Sequence, residues 1–268
     1  MGDARIGILG CGGRMGRQLL AGVLDTPGAR LAGGSERPDS AAVGQDLGVL
    51  AGRDALGLSA IEDPAALFAA SDLVIDFTLP TATALHAALA AEHRTALVVG
   101  TTGLLEEQLA ELERAAQEVA VLRAANMSLG VNLLIELVTQ AAAKLDEAYD
   151  IEIVEMHHRH KVDAPSGTAL ELGEAAAAGR NVDLDDSGVR VRDGHTGPRR
   201  AGTIGFATLR GGDVAGDHTV IFATEGERLE LGHRASSRQV FVQGALKAAL
   251  WLRGKPAGLY SMRDVLGL

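Results

Sequence analysis

Apolar and polar positions follow one rhythm in the first half of this chain and another in the second. Short apolar runs at 5–10, 29–34, 73–78, 96–100 and 119–125 are separated by segments at 14–24, 82–91 and 106–118 with apolar residues at helical spacing. Strand, helix and strand in succession form the βαβ pattern of a parallel sheet. An α/β domain with a Rossmann-like, doubly wound parallel sheet is therefore expected.

From Leu129 an apolar-rich helix, LGVNLLIELVTQAAAKLDE, leads into a strand, DIEIVEMHH, and then a helix at 168–178. After a polar stretch at 181–188 the rhythm changes. VRVRDGH (189–195), TIGFATLR (203–210), HTVIFATE (218–225) and RLELGHR (228–234) read as strands with short Gly-rich connections and no helices between them. This predicts a second, α+β domain with an open mixed sheet. The closing SRQVFVQGALKAALWLRG returns to helical spacing, with Phe241, Ala245, Ala248, Ala249 and Leu252 able to share a face, and is expected to pack back on the first domain. The expected division is 1–127 completed by 238–268, with 128–237 forming the second domain.

Composition narrows the class. With 34 glycines and 3% aromatic residues, the chain resembles nucleotide-binding α/β proteins more than sandwiches or base-stacking platforms. A formal charge of −10 argues against a nucleic-acid partner, which would need Lys and Arg to displace counterions from phosphates. Cys11, the single cysteine, can form no intramolecular disulfide, which fits a reducing compartment. The first apolar run, RIGILG, is too short for a signal segment, and no apolar stretch approaches the length of a membrane span. No membrane partner and a cytoplasmic location are expected.

The stretch GILGCGGRMGRQL follows the first strand and opens a helix. Read from Gly10 it is G-x-G-x-x-M, so Met15 stands at the third glycine position of the dinucleotide fingerprint, with Gly13 and Gly16 added. Gly10 can make the tight turn, and Gly12 and Gly13 let backbone N–H groups approach a pyrophosphate. Glycine-rich turns also occur without ligands, so context decides. Glu36 lies about 20 residues after Gly16 and follows a second strand, the usual place of an acid that takes the ribose hydroxyls. Arg37 beside it suits a 2′-phosphate, so NADH and NADPH are both expected as cofactors. VVGTTG and RAANMS end later strands at the same sheet edge; each alone reads as a capped turn, and together they favour a nicotinamide-side pocket.

The most unusual stretch is EMHHRHKVDAPSGTA, Glu155 to Ala169. His157, His158 and His160 have the residue type of metal ligands, but Arg159 and Lys161 would repel a dication and no cysteine partner exists, so no metal is expected. Ser166 is a natural N-cap, Pro165 restrains the entry, and a helix start at Gly167–Thr168 makes an anion site. A cationic cluster followed by such a helix suits a small dicarboxylate. Histidine exchanges protons near neutrality, and lysine donates one when neighbouring cations lower its pKa. Arg238 is a further candidate, against the commoner reading of a surface arginine.

GCGGRMG, Glu36–Arg37, VGTTG, AANMS, HHRHK with DAPSGTA, DGHTGPRRAGTIGFATLRGGDVAGDHTV and RASSR occur in that order, and nearly the whole chain resembles the 4-hydroxy-tetrahydrodipicolinate reductase (dihydrodipicolinate reductase) family of bacterial lysine and diaminopimelate biosynthesis. The resemblance implies NAD(P)H-dependent reduction with loss of water, and a homotetramer built through the sheet of the substrate domain. It implies cofactor contacts at Gly10, Cys11, Gly12, Gly13, Arg14, Met15, Glu36, Arg37, Gly100, Thr101, Thr102, Ala124, Ala125, Asn126 and Met127, where the family usually has Phe at the position of Met127. His157 matches the proton donor/acceptor and Lys161 the proton donor. His158, Gly167 and Thr168 match substrate-carboxylate contacts, with Ser166 and Arg238 assisting. A dinucleotide-binding sensor without turnover would be expected to have lost His157 or Lys161, and a dehydrogenase for another amino dicarboxylate, such as aspartate, to lack the contiguous HHRHK and SGT segments.

Overall fold

The computed structural model describes residues 2–268. In chain order its elements are β1 (Ala4–Leu9), α1 (Arg14–Asp25), β2 (Ala29–Ser35), α2 (Leu47–Leu50), α3 (Pro64–Ala70), β3 (Leu73–Asp76), α4 (Pro80–His93), β4 (Ala96–Val99), α5 (Glu106–Ala115) and β5 (Ala120–Arg123). They are followed by α6 (Leu129–Lys144), β6 (Asp150–His157), α7 (Gly167–Arg180), α8 (Leu184–Ser187), β7 (Gly188–Val189), β8 (Ile204–Arg210), β9 (Gly216–Thr224) and β10 (Glu227–Ala235). The chain ends with α9 (Gln239–Leu252), β11 (Gly258–Tyr260) and α10 (Met262–Leu266).

These elements form two compact units, one running through Ser128 and joined by Gln239–Leu268, the other Leu129–Arg238. The first is built on a six-stranded sheet of order β11-β5-β4-β3-β1-β2, parallel throughout. Leu97, Val99 and Val121 belong to the core cluster with Phe68, Ala87 and Leu112 of α3, α4 and α5. Val98 and Leu122, equally buried, alternate to the opposite face, where α1 and α9 pack. Burial on both faces is why these strands read as unbroken apolar runs. α1 inserts Gly16, Leu19, Leu20 and Val23, a helical stripe. In α9, Val242, Ala245, Ala248, Ala249 and Leu252 are buried, while Phe241 is only half-buried. β11, three residues pairing with β5, is too short to show in the hydrophobic pattern.

The second unit has a five-stranded mixed sheet, β10-β9-β6-β8-β7, in which β6 runs antiparallel to β9 and parallel to β8. α6 and α7 cover one face through Leu134, Val138, Leu172 and Ala176 over Ile151, Ile153, Val220 and Phe222. The strand expected at 189–195 is cut short. β7 ends at Val189, and Val191 is 79% exposed. The alternation Val-Arg-Val-Arg mimics a strand, but Gly194 and Gly197 take positive φ before Pro198, which ends any ladder. Arg192 instead reaches back to Glu152 of β6 with two bonds of 2.7 and 2.8 Å, and Arg199 joins Glu152 and Asp150. No helix among the described residues is long and apolar enough to cross a membrane.

Candidate active site

In the first unit the site grows from the carboxyl edge of the parallel sheet. Gly10 follows β1 with φ +65°, a conformation L side chains rarely adopt, and turns the chain into α1. A Cβ on Gly16 would lie 2.1 Å from the Gly10 carbonyl oxygen. The close approach of helix to strand thus falls on Gly16, and Met15 is accommodated one residue earlier. The Gly12 amide donates to Glu36 Oε1 (3.1 Å) and the Arg37 amide to Glu36 Oε2 (3.2 Å), so the carboxylate leans over the glycine turn with Arg37 exposed beside it. Gly13 caps α1 and Arg14 begins it, both exposed. Cys11 is fully buried against Gly34; burial, aided by the Glu36 charge, pushes its thiol up to about 11, so this is a packing side chain with only its backbone at the turn.

A cleft of about 720 Å³ opens where the strand order reverses between β1 and β3, the ligand position of doubly wound sheets. Gly10, Gly12, Gly13, Glu36 and Arg37 line it, together with Phe77, Thr78 and His86, which the sequence reading missed. Beneath them Asp76, fully buried, accepts from the Thr78 amide (2.8 Å) and hydroxyl (2.6 Å), from the Thr101 hydroxyl (3.3 Å) and from His86 Nδ1 (2.7 Å). Burial alone would raise this carboxyl; the His86 and Thr78 bonds outweigh it and hold the group below the ordinary carboxylate range.

The other expected residues lie further along the same edge, outside the cleft lining. A Cβ on Gly100 would meet the Phe77 ring at 2.3 Å, so that ring rests on the end of β4. Thr102 is exposed. After β5 come Ala124 and Ala125; Asn126 Oδ1 then accepts the Ser128 amide (2.8 Å), and Met127 is buried with its carbonyl against Gly244 of α9.

In the second unit β6 alternates buried and half-buried residues, and its buried row runs Ile151, Ile153, Glu155, His157. The last two carry polar groups into the protein, so their partners matter. Glu155 Oε2 receives His157 Nδ1 at 2.6 Å; Arg210 of β8 adds bonds of 2.8 and 2.9 Å, and the Ser166 amide one of 3.1 Å. Burial would raise the Glu155 carboxyl, but Arg210 and His157 overcome it and keep it below the usual range. The His218 ring of β9 stands edge-on to His157, with centroids 5.1 Å apart, and its Nε2 meets Ser166 Oγ at 3.1 Å. Burial first, then the His157 charge, pushes His218 down to about 4, so it is neutral near pH 7.

Ser166 is the N-cap of α7, accepting from the Ala169 amide at 3.2 Å, and Gly167 and Thr168 form the helix's first turn. A Cβ on Gly167 would meet open space. Lys161 follows His157 in the loop toward α7 and pairs with Asp163 at 2.9 Å. Arg210 also donates to the Asp163 carbonyl (2.6 Å), tying that loop to β8. His158 is shifted down by burial and by the charges of Arg238, His157, His160 and Lys161; Arg238, exposed at the end of the unit, therefore belongs to the same field. Histidine, lysine and arginine around a helix N-terminus can hold carboxylates and exchange protons. Among the described residues no group of three or more His, Cys, Asp or Glu is placed to hold a metal ion.

Residues 4–127 match the family model described as "Dihydrodipicolinate reductase, N-terminus", and residues 130–266 the one described as "Dihydrodipicolinate reductase, C-terminus". The chain belongs to the dihydrodipicolinate reductase family. A relative from Methylocella silvestris, named 4-hydroxy-tetrahydrodipicolinate reductase, is 57% identical over 100% of this chain and 98% of its own. One of the same name from Dinoroseobacter shibae is 56% identical over 97% of each. The solved structure of a dipicolinate-bound dihydrodipicolinate reductase from Paenisporosarcina sp. TG-14 covers 98% of both chains with a TM-score of 0.78 at 23% identity, and shares the fold. Within this family fold, Glu155, Arg210 and His218 are the residues that the sequence reading overlooked in the second unit. An acidic side chain two residues before His157 in a strand shares its face, a signal that was available.

Proposed function

We propose that this protein reduces 4-hydroxy-tetrahydrodipicolinate to tetrahydrodipicolinate with loss of water, using NADH or NADPH, in lysine and diaminopimelate biosynthesis in the cytoplasm. The observation that carries the reading is the gathering of His157, Lys161 and the Ser166–Thr168 helix start at one end of β6, in a chain whose relatives share this activity's name along their whole length.

The first unit fits a nicotinamide dinucleotide: the turn at Gly10, the amides at the start of α1 and the Glu36 carboxylate beside Arg37 form a cradle along one cleft. When bound there, the cofactor supplies the hydride. Gly10–Met15 are assigned to the pyrophosphate, Glu36 to the ribose hydroxyls and Arg37 to a 2′-phosphate, with Gly100–Thr102 and Ala124–Met127 toward the nicotinamide end. In the second unit the first-turn amides of Gly167 and Thr168, with His158 and Arg238, hold the two substrate carboxylates. Ser166, whose amide and hydroxyl are bonded to Glu155, Ala169 and His218, assists by capping the helix that presents those amides. His157 and Lys161 exchange the protons that the reduction requires, and the surrounding cations stabilise negative charge developing on the ring.

The outer face of the second sheet carries Val154, Met156, Ala207, Leu209 and Ile221, half-buried or exposed, and supports assembly into a homotetramer through this sheet. Sedimentation analysis tests that assignment. For the roles, Lys161→Ala is expected to lower kcat strongly with NADH affinity unchanged; a large loss of NADH binding would refute the division of labour between the units.

A further inference from the structure

We propose that Glu155 and Arg210 are positioning residues that set the protonation of His157: Glu155 fixes the imidazole orientation and tautomer from below, and Arg210 moderates the carboxylate's charge. This rests on the reading of His157 as the proton-exchanging group.

Three features carry it. His157 Nδ1 is engaged by Glu155 Oε2 at 2.6 Å, which leaves Nε2, the nitrogen near Gly216, as the atom able to exchange a proton. Glu155 is 1% exposed and its carboxylate is engaged by both Arg210 nitrogens and by the Ser166 amide, so it has a single geometry and little freedom to turn away. The pair is also linked to the expected substrate contacts, through the Ser166 amide at the start of α7 and through Arg210 to the Asp163 carbonyl in the Lys161 loop. Glu155 joins the histidine to the helix start, and Arg210 joins the carboxylate to the loop.

The charged and titratable groups around His157 are Glu155 on its own strand, Arg210 on β8, His218 on β9 with His233 opposite it on β10, and His158, Lys161 and Asp163 in the segment that follows β6. Of these Glu155 alone touches the ring through a hydrogen bond at Nδ1. Removing its negative charge disfavours a protonated imidazole, and removing the Arg210 charge favours one. The two variants must therefore move the His157 limb of the pH profile in opposite directions.

The test is the pH dependence of kcat/KM for the whole enzyme in Glu155→Gln, Arg210→Met and Arg210→Lys, with NADH affinity and circular dichroism confirming a folded protein. Glu155→Gln is expected to lower kcat by about 10²-fold, more than it raises KM, and to shift the His157 limb to lower pH by about one unit. Arg210→Met should shift it to higher pH, and Arg210→Lys should leave it in place. Placed on His157→Gln, Glu155→Gln should cost no further kcat, because the residue acts through the histidine. Unmoved limbs, shifts in the same direction, or additive losses would overturn the inference. If Glu155→Gln does not fold, the two Arg210 variants carry the test without changing Glu155. Wild-type kcat in His157→Gln would instead overturn the underlying reading of His157, a result separable from failure of the Glu155 and Arg210 shifts in an enzyme that needs His157.

Discussion

His218 should make the protein lose stability as pH falls from neutrality, and the size of the effect follows from its burial. The side chain is 4% exposed, bonded through Nε2 to Ser166 Oγ and with no partner for Nδ1. Burial, reinforced by the His157 charge, lowers it from 6.5 to about 4. In the unfolded chain the ring takes up a proton near its ordinary value, whereas the folded protein resists until about 4. Between these values the unfolded state binds more protons. The stability that His218 confers is therefore complete above its unfolded value and is lost as pH falls toward its folded one. A shift of this size is worth about 3 kcal/mol in full, of which about 2 kcal/mol falls between about pH 7 and about pH 5. His218→Gln, which retains a polar contact for Ser166, should be less stable at neutral pH but lose about 2 kcal/mol less on acidification. Urea unfolding of both proteins at the two pH values measures this, and because the other titrating groups are shared, the difference of differences isolates His218. Equal acid sensitivity in the two proteins would refute the assignment of a buried, neutral imidazole.

Gly16→Ala places a methyl against the Gly10 carbonyl oxygen and Cys11 Cα, and should cost about 1–3 kcal/mol of stability and weaken NADH binding by displacing the glycine turn. Calorimetric titration and a thermal scan check it; wild-type affinity and melting would show that the turn yields freely. Arg37→Ala should weaken NADPH by about tenfold or more while changing NADH much less, because a guanidinium bonds the 2′-phosphate that NADH lacks. Competition binding reads this directly, and an equal effect on both nucleotides would contradict the role.

The parallel sheet was legible because strands buried on both faces, such as Leu97–Val98–Val99, read as continuous apolar runs between helical segments. The start of α7 was legible too, since Pro-Ser-Gly-Thr carries its own cap chemistry and Ser166 takes the N-cap position. What escaped depended on long-range register. Arg210 reaches Glu155 because β8 lies parallel beside β6, and nothing local announces a pairing across that sequence separation. Asp76 and His86 meet only after α4 folds back over the end of β3. The strand expected at 189–195, which stops at Val189, shows the reverse case. Its Val-Arg alternation is a local pattern that ion pairs to β6 and two glycines with positive φ override.

The most direct measurement is oxidation of NADH and NADPH in the presence of pyruvate, aspartate semialdehyde and the synthase that condenses them, which generates the unstable substrate in place. Oxidation that requires the synthase and is abolished in His157→Ala and Lys161→Ala is the result expected. Absence of synthase-dependent oxidation in a wild-type protein that still binds NADH would contradict the assignment of this substrate and of both proton-transfer residues.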